Sequence, residues 1–292
     1  MALHTLQSGA LRVMISDAGA EIVQIEDILT GRNYLWHGDS AYWGRRSPVL
    51  FPIVGGLKNK AYKYAGREYP MSQHGFARDR EFQMTEHNVD TIWFELKADE
   101  ESLKVYPFRF RLEIGYRLEG RKITVMWRVA NEDKKTMFFS IGGHPAFMCP
   151  IDGEGKQTDY YLIFDNKEPL SYGKLSTNGL LDTEGHTLDT CGGCMPIAEH
   201  LFDEDALVIE GGQAHQVALA GQDKKPYLTV KFDAPLFGLW SPAKKQAPFV
   251  CIEPWYGRCD RESFVGMLAD REYGNELRPG KIFETEYTII AE

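Results

Sequence analysis

The sequence has no apolar run long enough to cross a bilayer, and no positively charged, then apolar, leader at its start. Basic residues are also in short supply, since 33 Lys and Arg stand against 42 Asp and Glu and give a formal net charge of −9. Binding to nucleic acid or to anionic lipid depends on a basic face. We therefore expect neither nucleic acid nor a membrane among the partners of this chain.

Cysteine is scarce as well. The chain of 292 residues has five, an odd number, which is not the paired framework of a small secreted domain, and this predicts a cytoplasmic protein. Cys191 and Cys194 have the C-x-x-C spacing of redox motifs and of half a zinc site, with His186 and His200 nearby in the sequence. Because a second C-x-x-C pair is missing, we favour a glycine-rich turn and assign no metal site.

Helical periodicity, linkers and internal repeats are also nearly absent, and strand-like alternation dominates instead. The clearest example runs from Phe108 to Leu118, where every second residue is apolar, and alternation resumes from Ile123 to Val129 after the turn at Glu119 and Gly120. Residues 108–129 are therefore predicted to form a β-hairpin. Many antiparallel strands without a break predict a single all-β sandwich domain over residues 1–292.

The other predicted strands have the same alternating or continuous apolar pattern. They cover residues 11–15, 92–96, 206–209, 216–219, 227–232, 236–240 and 283–290. One short helix is predicted over residues 262–268.

Glu253 is the carboxylate that most needs an explanation. It follows the apolar residues Val250 and Ile252 and precedes Pro254, which cannot donate a ladder hydrogen bond, so strand pairing is predicted to stop there. A carboxylate at the end of an apolar strand is poorly hydrated, and desolvation makes it a stronger base than a surface glutamate. We interpret Glu253 as a site residue; the alternative is a salt bridge to Arg258 or Arg261.

Two histidines lie in irregular, glycine-containing segments. His74 precedes Gly75, which lets the backbone turn or approach a ligand closely, and Arg78 follows in the same segment. His144 lies between Gly143 and Pro145, directly after an apolar stretch, so its imidazole is held on a fixed backbone. Either residue could instead be a hydrogen-bonded core histidine. A histidine and a desolvated glutamate nevertheless suit acid–base chemistry.

Four segments together resemble the motifs of the aldose 1-epimerase (galactose mutarotase) superfamily, and most closely its bacterial LacX-like branch. They are SPVLFPIVG at residues 47–55, HGFAR at 74–78, GHPAF at 143–147 and IEPWYG at 252–257. The resemblance extends over nearly the whole chain and keeps the order of the motifs. It implies a galactose mutarotase-like β-supersandwich that interconverts the α and β anomers of a hexose.

The same resemblance implies roles for individual residues. Glu253 matches the general base that takes the proton of the anomeric hydroxyl, and His144 matches the acid that protonates the ring oxygen. His74 matches a histidine that hydrogen-bonds the sugar, and Asp205 more weakly matches a hydroxyl-binding aspartate. No cofactor is implied. The expected partner is a small-molecule sugar, and the chain is expected to be a monomer or a homodimer.

One departure from the branch concerns an arginine that commonly follows the Ile-Val-Gly of the first motif, where this chain has Gly56. Arg46 or Arg78 could compensate as a sugar ligand. Trp255 is a candidate for the apolar face under the sugar ring, as are Trp36, Trp43 and Trp240, although a tryptophan is more often a core residue.

Several alternatives to a mutarotase of free hexoses stay open. Arg46 and Arg78 could clamp a phosphate, which would make the chain a hexose-6-phosphate mutarotase. A non-catalytic sugar-binding protein with the same fold is the alternative from another class, although binding alone does not require both His144 and Glu253. A glycosidase is disfavoured because no second carboxylate stands in a matching motif, and a metallohydrolase because a closely spaced histidine pair is missing.

Overall fold

The structure is a computed structural model and describes residues 2–182 and 184–292. Within these residues the chain is built mainly of β-strands. The first twelve are β1 (Leu3–Gln7), β2 (Leu11–Ser16), β3 (Glu21–Asp27), β4 (Val49–Leu50), β5 (Ala61–Tyr64), β6 (Arg67–Pro70), β7 (Gln83–His87), β8 (Thr91–Lys97), β9 (Phe110–Glu119), β10 (Lys122–Asn131), β11 (Met137–Phe139) and β12 (Ile141–Gly143).

The second half of the chain is built in the same way. Its strands are β13 (Ala146–Met148), β14 (Tyr161–Phe164), β15 (Leu170–Tyr172), β16 (His186–Leu188), β17 (Cys194–Pro196), β18 (Leu207–Glu210), β19 (Gln216–Ala220), β20 (Pro226–Phe232), β21 (Leu236–Trp240), β22 (Phe249–Tyr256), β23 (Asn275–Leu277) and β24 (Ile282–Ala291). Single 3₁₀ turns lie at Lys58–Lys60, Ala77–Asp79, Ile151–Gly153, Gln157–Asp159 and Leu268–Asp270.

Two large sheets form the frame of the protein. One has nine strands in the order β17-β14-β19-β20-β24-β10-β9-β8-β7, and the other has the order β18-β21-β22-β12-β4, with β13 also pairing with β22. All pairings within both sheets are antiparallel. The predicted all-β, mostly antiparallel sandwich is confirmed.

The hairpin predicted over residues 108–129 is the centre of the larger sheet. Strands β9 and β10 pair in continuous register from Lys122 opposite Glu119 to Asn131 opposite Phe110. The alternate apolar residues of β9 are buried, so the period of two in the sequence corresponds to one face on the core. The other predicted strands are also present, within one or two residues of their predicted ends.

The inner faces of the two sheets pack against each other. Phe232 of β20 contacts Phe237 of β21 with ring centroids 5.2 Å apart. The hydroxyl of Tyr256 in β22 lies 2.5 Å from the Thr285 hydroxyl in β24. These contacts place the apolar core between the sheets and leave the opposite face of the β22 sheet available for a site.

The helix predictions were wrong in two respects. Residues 262–268 do not form a helix; this segment is made of turns and ends in the single 3₁₀ turn Leu268–Asp270. The α-helix α1, Glu100–Val105, was not predicted. Its N-terminus has a capping box, in which Asp99 accepts from the Ser102 amide and the Ser102 hydroxyl accepts from the Asp99 amide. The D-x-x-S pattern from Asp99 to Ser102 was therefore the sequence signal that could have predicted this helix.

The prediction that pairing stops at Pro254 was also wrong, because β22 continues to Tyr256 and Pro254 lies opposite Phe237 of β21. On its other edge β22 pairs first with β13 and then with β12. His144 and Pro145 connect these two short strands and lie beside Glu253 and Pro254. A residue without an N–H is tolerated where the partner strand changes and the ladder is already interrupted.

Candidate active site

The interruption between β12 and β13 brings two predicted site residues together. His144 follows the last residue of β12, and Glu253 lies on the neighbouring strand β22, with Nε2 of the imidazole 3.3 Å from a carboxylate oxygen. The alternative of a salt bridge from Glu253 to an arginine does not hold, since Arg258 and Arg261 both pair with Glu210 and Glu272.

The Glu253 carboxylate is buried and has no full set of partners. Only 1% of the residue is exposed, and neither carboxylate oxygen has a hydrogen bond of normal geometry. Burial raises the pKa of Glu253 well above its ordinary value, and the negative charge of Asp205 raises it further. An unpaired buried carboxylate is costly, which makes Glu253 a candidate functional residue.

His144 is enclosed by aromatic rings. Its imidazole stacks on Trp43 at a centroid distance of 4.8 Å and meets the edge of Trp240 at 5.4 Å. Its backbone amide donates to the Pro48 carbonyl at 3.1 Å, which fixes the segment between the two short strands. Burial lowers the pKa of His144 to about 3, and the charge of Arg78 also lowers it. The imidazole is therefore neutral in the resting cavity.

His74 stands beside His144, with its ring centroid 5.5 Å away. Its Nδ1 accepts a hydrogen bond from the Gly55 amide at 3.1 Å. Burial lowers the pKa of His74 well below the ordinary value, and the neighbouring His144 contributes to the same effect. A neutral imidazole that accepts at Nδ1 carries its proton on Nε2, so His74 is a hydrogen-bond donor.

Gly75 explains how the chain holds His74 in this position. Both residues have left-handed backbone angles, with φ of +67° and +70°. A Cβ on Gly75 would lie 2.3 Å from the Phe51 carbonyl oxygen, so only glycine allows the backbone to approach Phe51 this closely.

The two histidines and Glu253 line a cavity of about 340 Å³. Its walls have three kinds of side chain. Arg45, Gln73 and Arg78 are cationic or polar; Glu253 and Asp205 are acidic; Trp43, Val54, Leu175, Val208, Trp240 and Trp255 are mainly apolar. The volume and the mixture of apolar walls with a few polar groups are typical of a small-molecule site.

A second cavity of about 360 Å³ lies elsewhere on the surface, beside Lys156, Glu199, Asp203 and Lys244. These charged side chains are exposed or only half-buried. Of these two cavities, only the one lined by His144 and Glu253 brings desolvated acid–base groups together. We therefore place the candidate site there, although this cavity is slightly smaller.

Arg78 lines the cavity as predicted, but Arg46 does not. Burial lowers the pKa of Arg78 to about 10, so its guanidinium stays charged at neutral pH. Arg46 turns away and donates from Nε to the His37 carbonyl at 2.8 Å. Its neighbour Arg45 lines the cavity instead and pairs with Asp79 at 2.7 Å. The two arginines lie in an irregular segment and point to different sides of it, so a prediction off by one residue selects the wrong arginine.

Trp255 is buried and forms part of the cavity wall. Two glycines on the neighbouring strands make room for its indole. A Cβ would lie 2.5 Å from the ring at Gly142 in β12 and 2.4 Å from it at Gly238 in β21. The ring is held against the sheet, next to Glu253 on the same face of β22.

Asp205 and Gly56 occupy more peripheral positions. Asp205 is an exposed residue on the cavity wall with φ of +71°, and its carboxylate accepts from the Ala206 amide at 2.9 Å. Gly56 is outside the cavity wall, where a Cβ would lie 3.0 Å from the Gly179 carbonyl oxygen. The segment near Gly179 therefore crowds this position, while Leu175 from the same segment forms part of the wall.

Sequence reasoning did not assign Arg45, Gln73 or Leu175 to the site. Gln73 directly precedes His74, so proximity to that motif was a usable signal. Leu175 belongs to a segment with no motif, and nothing in its local pattern distinguishes it from a core leucine.

The C-x-x-C segment is separate from this site. All five cysteines are free; Cys191 is exposed in a turn, and Cys194 begins β17. Across residues 2–182 and 184–292, the one group of three potential metal ligands close enough to share an ion is His144, Cys251 and Glu253. In the same residues, no helix is both long and apolar enough to cross a membrane.

Comparison with known proteins gives a consistent result. The family model described as "Aldose 1-epimerase" matches residues 2–284. The plasmid-encoded protein LacX of Lactococcus lactis subsp. lactis is 33% identical, and the match covers 97% of each chain.

Solved structures agree in fold. A galactose mutarotase-related enzyme from Lactobacillus acidophilus superposes with a TM-score of 0.94 at 35% identity, covering all of this chain and 97% of the other. A galactose mutarotase-like protein from Lactobacillus casei superposes with a TM-score of 0.91 at 27% identity, covering 99% of each chain.

Proposed function

The chain belongs to the aldose 1-epimerase family, a family of carbohydrate epimerases, and from this premise we propose that it interconverts the α and β anomers of a free hexose such as galactose or glucose. The observation that carries the proposal is the 3.3 Å contact between His144 and Glu253 inside a cavity of sugar size. Anomer exchange needs one acid and one base at a single hemiacetal, and it needs no covalent nucleophile.

The proposed reaction is balanced by two proton transfers. The Glu253 carboxylate takes the proton from the anomeric hydroxyl while the His144 imidazolium gives a proton to the ring oxygen. The bond from C1 to the ring oxygen breaks, and C1 becomes an aldehyde. Rotation about the C1–C2 bond exposes the other face of the aldehyde, and both transfers then reverse as the ring closes. Each positioned transfer typically contributes about 10²- to 10⁴-fold in rate.

The proposed reaction starts from a protonation state of His144 and Glu253 that burial disfavours. Burial favours a neutral His144 and a protonated Glu253, whereas the reaction starts from the imidazolium and the carboxylate. These two states hold the same number of protons and differ by one transfer across the 3.3 Å contact. In our proposal, the bound sugar offers its hydroxyl to the carboxylate and its ring oxygen to the imidazolium, which stabilises the charged form.

The other wall residues are assigned to binding. His74 donates from Nε2 to a sugar oxygen, and Arg78 and Asp205 hydrogen-bond further hydroxyl groups. The indole of Trp255 lies under the apolar face of the ring. The support is their common location around the proton-sharing pair. We also propose a cytoplasmic location, because free cysteines are typical of a reducing compartment.

A hexose 6-phosphate is the second candidate substrate. Two guanidinium groups, from Arg45 and Arg78, lie on the wall of the cavity, and Nε of Arg78 is buried without a hydrogen-bond partner. Paired guanidinium groups suit a phosphate because they supply several charge-assisted donors. The partner Asp79 already neutralises part of the charge of Arg45, so we rank this substrate second.

Polarimetry decides between these substrates. Freshly dissolved α-D-galactose, α-D-glucose and glucose 6-phosphate are followed with wild type and with Arg45→Gln. We expect wild type to accelerate the mutarotation of a free hexose. The rate of Arg45→Gln on that sugar should stay within a few fold of the wild-type rate. Acceleration confined to glucose 6-phosphate and lost in Arg45→Gln would establish the second candidate. No acceleration of any sugar would contradict the enzymatic proposal and leave a sugar-binding protein.

A further inference from the structure

Cys251 has no role in the proposed reaction, yet its thiol belongs to the same small group of side chains. Odd-numbered residues of β22 point away from the core between the sheets, so Cys251 lies on the same face as Glu253, two positions earlier. Cys251 is fully buried, and its neighbours across the ladders are Trp240 and Ala146.

The three side chains are close enough to bind one ion. One ligand atom from each of His144, Cys251 and Glu253 lies within 4.8 Å of the other two, and the His144–Glu253 pair is at 3.3 Å. Ligand atoms of a tetrahedral zinc site are separated by roughly 3.4–3.7 Å, given the usual zinc–nitrogen and zinc–sulfur bond lengths. Shortening the longest of these separations by at most about 1.4 Å through side-chain movement would complete this geometry.

The carboxylate of Glu253 is also uncommitted. Neither of its oxygens has a hydrogen-bond partner, although the side chain is 99% buried. Buried polar atoms without partners are rare. A cation at this position would satisfy the carboxylate without breaking any existing hydrogen bond.

We propose that His144, Cys251 and Glu253 form a site for a thiophilic divalent cation such as Zn²⁺ or Cd²⁺, which inhibits the enzyme reversibly by occupying both proton-transfer groups. The fourth coordination position faces the cavity and is filled by water. Binding displaces the thiol proton of Cys251 and the carboxyl proton of Glu253, and both leave to solvent.

The donor set selects the class of metal. A thiolate, an imidazole and a carboxylate suit zinc and softer ions, whereas Mg²⁺ and Ca²⁺ prefer oxygen donors only. The thiolate and the carboxylate together balance the two positive charges, so the buried assembly is neutral overall. The metal-binding part of this proposal is independent of the proposed function, and only the inhibition depends on it.

Cadmium titration tests the site, because a Cd²⁺–thiolate bond gives an ultraviolet charge-transfer band whether or not the protein is active. We expect one equivalent of Cd²⁺ to produce the band in wild type and in the double variant Cys191→Ser/Cys194→Ser. Cys259→Ser controls for the thiol that lines the cavity wall and should also keep the band. Cys251→Ser, or Cys251→Ala if serine destabilises the fold, should weaken Cd²⁺ binding at least about tenfold.

Two further readouts separate the possible outcomes. Cadmium NMR of wild type needs no substitution and should give one resonance typical of a single sulfur ligand. Cd²⁺ should inhibit mutarotation by wild type. Cys251→Ser should need about tenfold more Cd²⁺ for the same inhibition. A band that persists in Cys251→Ser, a band lost in Cys191→Ser/Cys194→Ser, or an oxygen-only resonance would overturn the proposal. The band with no mutarotase activity would support the site and contradict only the proposed function.

Discussion

Nε2 of His144 lies 3.3 Å from a carboxylate oxygen of Glu253 because the sheet changes partner strands at that point. The connection between β12 and β13 interrupts the ladder beside β22, and the imidazole occupies the interruption. Both side chains are more than nine-tenths buried. The fold thereby brings two desolvated, titratable side chains together within one cavity.

Acid should destabilise wild type more than the variant His144→Asn. The pKa of His144 is lowered by burial to about 3 in the folded protein, while the unfolded chain has the ordinary value near 6.5. Between these values the unfolded state binds more protons, so stability falls as pH falls. We expect His144→Asn to recover up to about 2.5 kcal/mol of the stability that wild type loses between pH 7 and 4.5.

Thermal melts at the two pH values measure this effect. His200→Asn is the matched control, because the His200 side chain is 79% exposed, and it should lose stability as wild type does. Equal acid sensitivity of wild type and His144→Asn would contradict a buried, neutral His144.

The pH dependence of the mutarotation rate reports the same pair. The reaction needs one shared proton, so the rate falls when the pair gains a second proton or loses the only one. Because burial lowers the pKa of His144 to about 3 and raises that of Glu253, the enzymatic rate should stay level through the weakly acidic range and fall on the alkaline side. Rates are corrected for uncatalysed mutarotation. A loss of rate on acidification with a midpoint near pH 6.5 would contradict the buried pairing of His144 with Glu253.

Gly75→Ala should lower the free energy of unfolding by much more than an ordinary glycine substitution does. Its Cβ would lie 2.3 Å from the Phe51 carbonyl oxygen. Gly66→Ala is the control, since Gly66 has a similar φ of +74° and nothing within 4 Å of its Cβ position. We expect about 1 kcal/mol from Gly66→Ala and at least about 2 kcal/mol more from Gly75→Ala in denaturant unfolding. Similar losses would show that Phe51 moves aside freely.

Gly238→Ala tests whether sugar binding depends on the position of the Trp255 indole. The added methyl would lie 2.4 Å from the indole, so the ring must shift within the cavity wall. We expect KM for the sugar to rise about tenfold, equivalent to about 1.4 kcal/mol of binding, while kcat falls much less. Gly9→Ala, with nothing within 4 Å of the new Cβ, should leave KM unchanged. An unchanged KM in Gly238→Ala would remove Trp255 from sugar binding.

The sequence contained enough information to predict the architecture, because alternation in β9 and β10 directly records which face is buried. It also singled out Glu253 and the two histidines, since a carboxylate in an apolar strand and histidines next to glycine need an explanation. The distance between them could not be predicted. It depends on strand partners that are remote in the chain, and local patterns do not specify remote pairing.

The errors have local physical causes. Arg45 and Arg46 are adjacent in an irregular segment, and the course of its backbone decides which one enters the cavity. Pro254 is tolerated inside β22 because the neighbouring ladder is interrupted there, and that interruption belongs to another part of the chain. The predicted helix over 262–268 rested on weak periodicity, whereas α1 was specified by a capping box rather than by periodicity.

The polarimetric rate of Glu253→Gln on α-D-galactose or α-D-glucose, whichever wild type accelerates, tests the central claim most directly. The amide fills the same space but cannot accept the anomeric proton as a base, so we expect the rate to fall about 10²- to 10⁴-fold. Because burial raises the pKa of Glu253, ionising it opposes folding at high pH, and the variant should melt no lower than wild type at pH 8. Exposed Glu100→Gln is the control and should keep the wild-type rate. A folded Glu253→Gln protein with a rate within a few fold of wild type would contradict the account.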